Sequence, residues 1–231
     1  MPSTRASQRE TTSRFQARPL FWALNSLTLA VALLLIFHAV APSDNSFFAE
    51  TDHRLHNLYR AHAFLEWKPV FEAGSFIGGR LLGFLVVAGA VWLYRLGARR
   101  QALALAISTL GAWAGATLLK FLFSSPRPRV REVTYAISGY GFPSAHAMVT
   151  LVFFGLFAFY LSREFRRGHL AIWGTMGLIV LWVGLSRVFL GSHWLSDVLA
   201  GYAFGLLWIS GTLFSTKENR RPSPAVERSY P

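Results

Sequence analysis

Apolar residues in this chain gather into six long runs, at about 20–41, 76–94, 101–120, 146–161, 170–188 and 194–214, separated by short polar clusters. At 1.5 Å per residue, runs of this length cross a ~30 Å hydrocarbon core as helices. The pattern therefore predicts an all-α, polytopic membrane protein with six transmembrane helices. The fourth run is short and the sixth is apolar only from Val198, so both are expected to begin in the membrane interface. Between the first two runs, Leu55, Leu58, Tyr59, His62 and Leu65 recur at helical spacing beside charged residues, and Trp67 and Lys68 follow. This predicts an amphipathic helix within 50–72 lying in the outer interface. Gly111-x3-Gly115 and Gly201-x3-Gly205 allow close helix contact in lipid. Residues 1–18 and 215–231, rich in Ser, Arg and Pro, are expected to be disordered tails around one membrane domain at 19–214. Ala39-Val40-Ala41 fits a signal-cleavage pattern. The first run is nevertheless longer than the roughly 7–15 residues of a signal core, and Pro42 would follow the cut, so a retained anchor is expected.

Composition agrees with this reading. The chain is 53% hydrophobic and only 15% charged, with a mean hydropathy of +0.37, which is too apolar for an ordinary soluble domain. Its net charge of +12 could suggest a nucleic-acid partner. The basic residues instead sit in short clusters between apolar runs, which is how membrane orientation is encoded, and this argues against nucleic acid. Arg5, Arg9, Arg14 and Arg18 precede run one, and Arg95, Arg99 and Arg100 separate runs two and three. Arg163, Arg166 and Arg167 separate runs four and five, and Lys217, Arg220, Arg221 and Arg228 follow run six. These segments hold fourteen of the 23 Lys and Arg residues, all on one face if there are six spans. By the positive-inside rule that face is cytoplasmic, so both termini are expected in the cytoplasm. Without cysteine the chain has no disulfide, thiolate metal site or cysteine nucleophile.

Three polar blocks interrupt the apolar background. The first reads K-x6-R-P (Lys120, Arg127, Pro128), the second P-S-A-H (Pro143, Ser144, Ala145, His146), and the third S-R-x5-H-x3-D (Ser186, Arg187, His193, Asp197). They supply three cations, two imidazoles and one carboxylate, a set suited to moving a phosphoryl group. On the predicted topology all of them reach the extracytoplasmic face. His193 and Asp197, four apart on a helix, share one face. The carboxylate can accept the Nδ1 proton and leave Nε2 as a free lone pair, which makes His193 the candidate nucleophile. Ser144 is placed as the N-cap of an apolar helix whose unpaired first-turn N–H groups attract an anion. His146, in that first turn, is the candidate general acid. Lys120, Arg127 and Arg187 are placed to offset the phosphate oxygens. Pro126 and Pro128 stiffen the segment that presents Arg127, while Arg129 and Arg131 attract anionic substrate without touching phosphorus. Asp52, His53 and His56 lack a complete metal-ligand set and are read as a solvated helix face.

On these residues the chain resembles the type 2 phosphatidic acid phosphatase superfamily, whose relatives include bacterial acid phosphatases and vanadium haloperoxidases. The pattern K-x6-R-P is matched at Lys120, Arg127 and Pro128, P-S-G-H at Pro143, Ser144 and His146, and S-R-x5-H-x3-D at Ser186, Arg187, His193 and Asp197. Ala145 stands where the family pattern has Gly; it keeps the N–H but forbids some backbone angles, which bears on the tightness of the phosphate site. The resemblance implies a membrane lipid phosphatase that works through a phosphohistidine on His193, with no metal and no other cofactor. Lys120, Arg127, Ser144, Ala145 and Arg187 would bind the phosphate, and His193, His146 and Asp197 would be catalytic. It implies an enzyme of the bacterial cytoplasmic membrane whose site faces the periplasm or exterior. The expected substrate is undecaprenyl diphosphate first, then phosphatidylglycerophosphate or phosphatidic acid. Lipid-to-lipid phosphotransfer, or non-catalytic binding or transport of a lipid phosphate, are the alternatives.

Overall fold

The computed structural model describes residues 3–40, 47–60, 65–128 and 139–218, and among these all regular structure is helical. Helix α1 spans Ser3–Val40, α2 Phe47–Arg60, α3 Lys68–Phe76, α4 Leu82–Arg95, α5 Arg99–Phe123, α6 Ala145–Glu164, α7 His169–Phe189 and α8 Leu195–Glu218. A π turn over Ile77–Leu81 joins α3 to α4 without a break. Six segments are long and apolar enough to cross a membrane: Phe21–Val40, Lys68–Arg95, Arg99–Phe123, Ala145–Glu164, Arg166–Phe189 and Leu195–Ser215. Each overlaps one of the six predicted runs.

The ends differ from expectation in instructive ways. Within the stretch expected as one helix at 50–72, the described residues hold α2 up to Arg60 and α3 from Lys68, with Pro69 in the first turn of α3, where a missing N–H costs nothing. The second span consequently begins at Lys68 rather than near residue 76. The backbone of α1 reaches back to Ser3, and that of α8 reaches on to Glu218, into both segments expected to lack regular structure. Extending a formed helix adds one hydrogen bond per residue fixed, which is less demanding than nucleating one. His62, Ala41, Pro42, Arg129, Arg131 and residues 219–231 lie outside the described residues.

Helix α6 is the hub, packed against α5, α7 and α8. Of its span 61% is buried, against 11–33% for the other five. The other spans turn large apolar side chains outward, such as Leu27, Phe37, Phe84, Ile107, Phe121 and Leu178. In lipid such exposure carries no penalty, and helix association rests instead on close van der Waals fit at small residues. Both glycine pairs serve that purpose. A Cβ on Gly201 would fall 2.6 Å from the Ser144 carbonyl oxygen, and one on Gly205 would meet α6 at Leu151 and Met148. Gly111 and Gly115 form a groove filled by the Trp208 indole, with 2.7 Å to a Cβ on Gly111. Helix α8 is thereby wedged between α5 and α6, and its first residues are pressed against the segment that opens α6.

Candidate active site

The C-terminal ends of α5 and α7 and the N-terminal ends of α6 and α8 meet at one end of the bundle, and every residue of the three polar blocks lies there. Helix α5 closes on Ser124 in a left-handed conformation (φ 47°), with the Ser124 N–H bonded to the Lys120 carbonyl. The chain then returns to α6 through Gly141, whose N–H donates to Ser125 O at 2.8 Å, and a cis Phe142–Pro143 peptide. Ser144 N–H donates to the Asp197 carbonyl at 2.9 Å, which ties the second block to the third through the backbone.

His193 does not sit on a helix. It lies in the turn between α7 and α8, where Gly191 adopts a positive φ of 64° and the His193 and Ser192 N–H groups both donate to Arg187 O. The pairing with Asp197 still forms, with Nδ1 3.2 Å from Oδ2, because Asp197 is in the first turn of α8 and reaches back. The same Oδ2 accepts the Trp194 N–H at 3.1 Å, in the manner of the acidic member of a capping box. Nε2 is not free, as the sequence suggested; it lies 3.1 Å from Arg127 Nη1. A guanidinium has only donors, so Nε2 must accept and the ring proton must be on Nδ1. Burial, and after it the charges of Arg127, Arg187 and Lys120, hold the His193 imidazole well below its ordinary pKa, so the ring is neutral with its lone pair turned toward cations.

The cations are fixed by carbonyls and a hydroxyl. Lys120 Nζ donates to the carbonyls of Tyr140 (2.8 Å) and Gly141 (2.9 Å). Arg127 donates from Nε to Gly139 O at 3.1 Å and from Nη1 to Ser192 O at 2.9 Å. Arg187, 9% exposed, donates from Nη1 to Ser75 Oγ on α3. None of the three forms an ion pair with Asp197, whose Oδ2 is engaged by His193 and Trp194. Three cations around a single carboxylate leave a net positive end that favours an anion. Arg187 Nε and Ser144 Oγ are buried and make no hydrogen bond. Buried polar groups are nearly always satisfied, so these two atoms stand out as open donors within a cationic cluster. Ser144 does occupy the N-cap position (ψ 110°), but its side chain makes no capping bond. Ala145 opens α6 without strain, since Ser124 is the one non-glycine residue with positive φ among those described. The replacement of Gly by Ala therefore demands no unusual backbone at this position.

His146 lies in the first turn of α6, with its ring against the π turn. A Cβ on Gly79 would fall 3.0 Å from His146 Nε2. Gly79→Ala is expected to displace the imidazole by a fraction of an ångström and to lower turnover ~10–100-fold, since misplacement of ~1 Å can cost 10²-fold. Turnover within twofold of the parent would show that the ring has room to adjust.

Two contributors were not visible as such in the sequence. Ser75, which positions Arg187, carries no motif signal, whereas the Gly78–Gly79 pair beside His146 could have been noticed as a small-residue interruption of an apolar run. Asp52 departs from the sequence expectation. It is not part of a solvated face; it is 6% exposed and bonded to Ser196, while the His53 and His56 rings lie 5.6 and 5.4 Å from the Trp194 ring. Among the described residues no three His, Cys, Asp or Glu side chains are grouped to hold a metal ion.

The family model described as the PAP2 superfamily matches residues 101–221. The chain is 31% identical over 131 residues to the Escherichia coli (strain K12) protein named "Putative undecaprenyl-diphosphatase YbjG", covering 53% of this chain and 61% of that one. It is 37% identical over 73 residues to phosphatidylglycerophosphatase B of Bacillus subtilis (strain 168), covering 30% of this chain and 36% of that one. The chain thus spans less than two thirds of the length of these relatives. The crystal structure of a transmembrane PAP2 type phosphatidylglycerolphosphate phosphatase from Bacillus subtilis superposes with a TM-score of 0.72. At 20% identity it covers 85% of this chain and 98% of its own, and this likeness establishes the fold.

Proposed function

The chain belongs to the PAP2 superfamily and is an integral membrane protein, and from that premise we propose that it hydrolyses a lipid phosphate or diphosphate through a phosphohistidine at His193. The observation that carries this reading is the line Asp197–His193–Arg127. A carboxylate fixes the ring proton on Nδ1, and the lone pair on Nε2 faces a guanidinium with two further cations nearby.

The chemistry follows from the placement. A phosphate dianion among Lys120, Arg127 and Arg187 takes over the Arg127 donor now on Nε2 and puts phosphorus in reach of the released lone pair. Nε2 forms a bond to phosphorus as the bond to the leaving lipid oxygen breaks, and His146 gives that oxygen a proton. Asp197 offsets the positive charge that develops on the His193 ring. Water, deprotonated by His146, then attacks the phosphohistidine, which breaks the P–N bond and releases inorganic phosphate. The three side-chain cations supply the charge neutralisation, so the mechanism calls on no metal. A second lipid's hydroxyl in place of water would make the same site a phosphotransferase. The directed His193–Asp197 pair speaks against a purely binding or transport role, which has no use for an aligned lone pair.

Undecaprenyl diphosphate is the first choice of substrate, and phosphatidylglycerophosphate or phosphatidic acid the second. The chain's similarity to a protein named as an undecaprenyl-diphosphatase and to a phosphatidylglycerophosphatase supports both classes. Fourteen of 23 basic residues border the opposite ends of the helices, which supports a site open to the periplasm or exterior of a bacterial cytoplasmic membrane, with both termini inside. Residues 47–60 would then lie at the outer surface. Phosphate release by purified protein in detergent with EDTA, across a panel of lipid phosphates, tests the reading. Undecaprenyl diphosphate is expected to turn over fastest, and intact cells are expected to hydrolyse a membrane-impermeant phosphate ester. Turnover that appears only when a divalent ion is restored would refute the mechanism, and hydrolysis confined to broken cells would reverse the orientation.

A further inference from the structure

Helix α8 begins beside the site, and the N–H groups of its first turn have no partner within the helix. One of them, at Trp194, is taken locally by Asp197. Another, at Ser196, is taken from far away in sequence: Asp52 on α2 accepts the Ser196 N–H on Oδ1 at 3.2 Å and the Ser196 hydroxyl on Oδ2 at 2.5 Å. Both carboxylate oxygens grip one residue, so the contact fixes its rotation as well as its position. That residue directly precedes Asp197. On the other side of the carboxylate, His38 Nε2 at the end of α1 lies 3.8 Å from Oδ2. Leu55, one turn on from Asp52, packs against the cluster that contains Val188 and Val198, on both sides of the His193 turn. Asp52, Ser196 and Asp197 are all nearly inaccessible, at 6%, 5% and 1% exposure.

A carboxylate buried this far is costly unless it is fully bonded, and a helix that needed only a cap could have taken one from its own N-terminal side chains. Asp52 instead connects two helices outside the cation cluster to the first turn of α8. We infer that Asp52 is a positioning residue: by clamping Ser196 it sets Asp197, and through Asp197 the Nδ1 proton and the aim of His193. This rests on the reading of His193 as nucleophile. The cations are held separately: Lys120, Arg127 and Arg187 donate their hydrogen bonds to Tyr140, Gly141, Gly139, Ser192 and Ser75, none of which belongs to α2.

That separation gives the test. In full-length protein in detergent, Asp52→Ala is expected to lower kcat ~10–100-fold, the scale found when an outer partner of a functional His is removed. The inhibition constant of inorganic phosphate, which reads the cation cluster, is expected to stay within about twofold. Asp52→Asn, which keeps an acceptor for the Ser196 N–H, is expected to recover most of the loss. Ser196→Ala is expected to lose part of the rate, and Asp52→Ala combined with it should be no slower than Asp52→Ala alone, because both act through one contact. Full kcat in Asp52→Ala, or additive losses in the double variant, would overturn the inference. So would a phosphate inhibition constant that worsens in step with kcat, since that marks a general loosening of the fold. If the parent protein releases no phosphate from any lipid phosphate, the functional reading fails and takes this one with it; an active parent with an indifferent Asp52 removes the positioning role alone.

Discussion

His193→Ala is expected to reduce phosphate release at least ~10³-fold with little change in the amount of folded protein. The size of the effect follows from how few groups can replace the ring. Its Nε2 is the lone pair turned toward the cation cluster, and His146, the other imidazole, lies across the site against the Gly79 turn. Removing the ring leaves Arg127 bonded to Gly139 O and Ser192 O, and Asp197 bonded to the Trp194 N–H, so neither charge is stranded. Loss of rate would therefore reflect loss of the nucleophile rather than collapse of the site. Protein rapidly quenched during turnover should carry acid-labile phosphate in the parent and none in the variant. The pH profile is a second readout. Because His193 is held well below the usual imidazole range, its lone pair stays available as pH falls below ~6.5, where a free histidine would be protonated. An acid limb that began at the ordinary imidazole value would have to come from another group. Retention of a tenth of the parent activity in His193→Ala would remove His193 from the chemistry.

The six spans were legible because lipid imposes a length and an apolar composition that soluble folds do not. Their ends were less so. Residues 68–75 continue the second span as α3, yet Lys68, Glu72 and Ser75 make that stretch look like a boundary. The site motifs were legible as residue types, but several of their partners are backbone carbonyls at Gly139, Tyr140, Gly141 and Ser192, which any residue would supply whatever its side chain. The four-residue spacing of His193 and Asp197 suggested neighbours on one helical face. The pairing is real, but it is made by a turn and a capping carboxylate. Ser144 likewise reads as a cap and stands in the cap position, yet its hydroxyl is not used there. Asp52 shows the deeper limit. Amphipathic pattern assigns charged residues to solvent, and it fails where the surface that a helix covers is itself polar, as the start of α8 is.

Asp197→Asn is expected to slow turnover by on the order of 10²–10⁴, although it preserves the shape of the side chain. The Trp194 N–H constrains what the substitution does. It points at Oδ2, the atom that also accepts from His193 Nδ1, so the amide must present its oxygen there and turn its NH2 away. The ring would keep its proton on Nδ1 and its orientation, and what is lost is the charge. That charge matters twice. It stabilises the His193 cation formed when Nε2 bonds to phosphorus, and it is joined through His193 to a cluster of three cations. Without it, phosphate should bind at least as well while reacting more slowly, so kcat should fall and the phosphate inhibition constant should not rise. Asp197→Ala removes orientation as well as charge and should approach the loss seen for His193→Ala. Single-turnover measurements would place the defect in formation of the phosphohistidine, where positive charge develops on the ring. If Asp197→Asn retained a third of the parent rate, orientation alone would account for the role of Asp197, and the carboxylate's charge would have no part in the reaction.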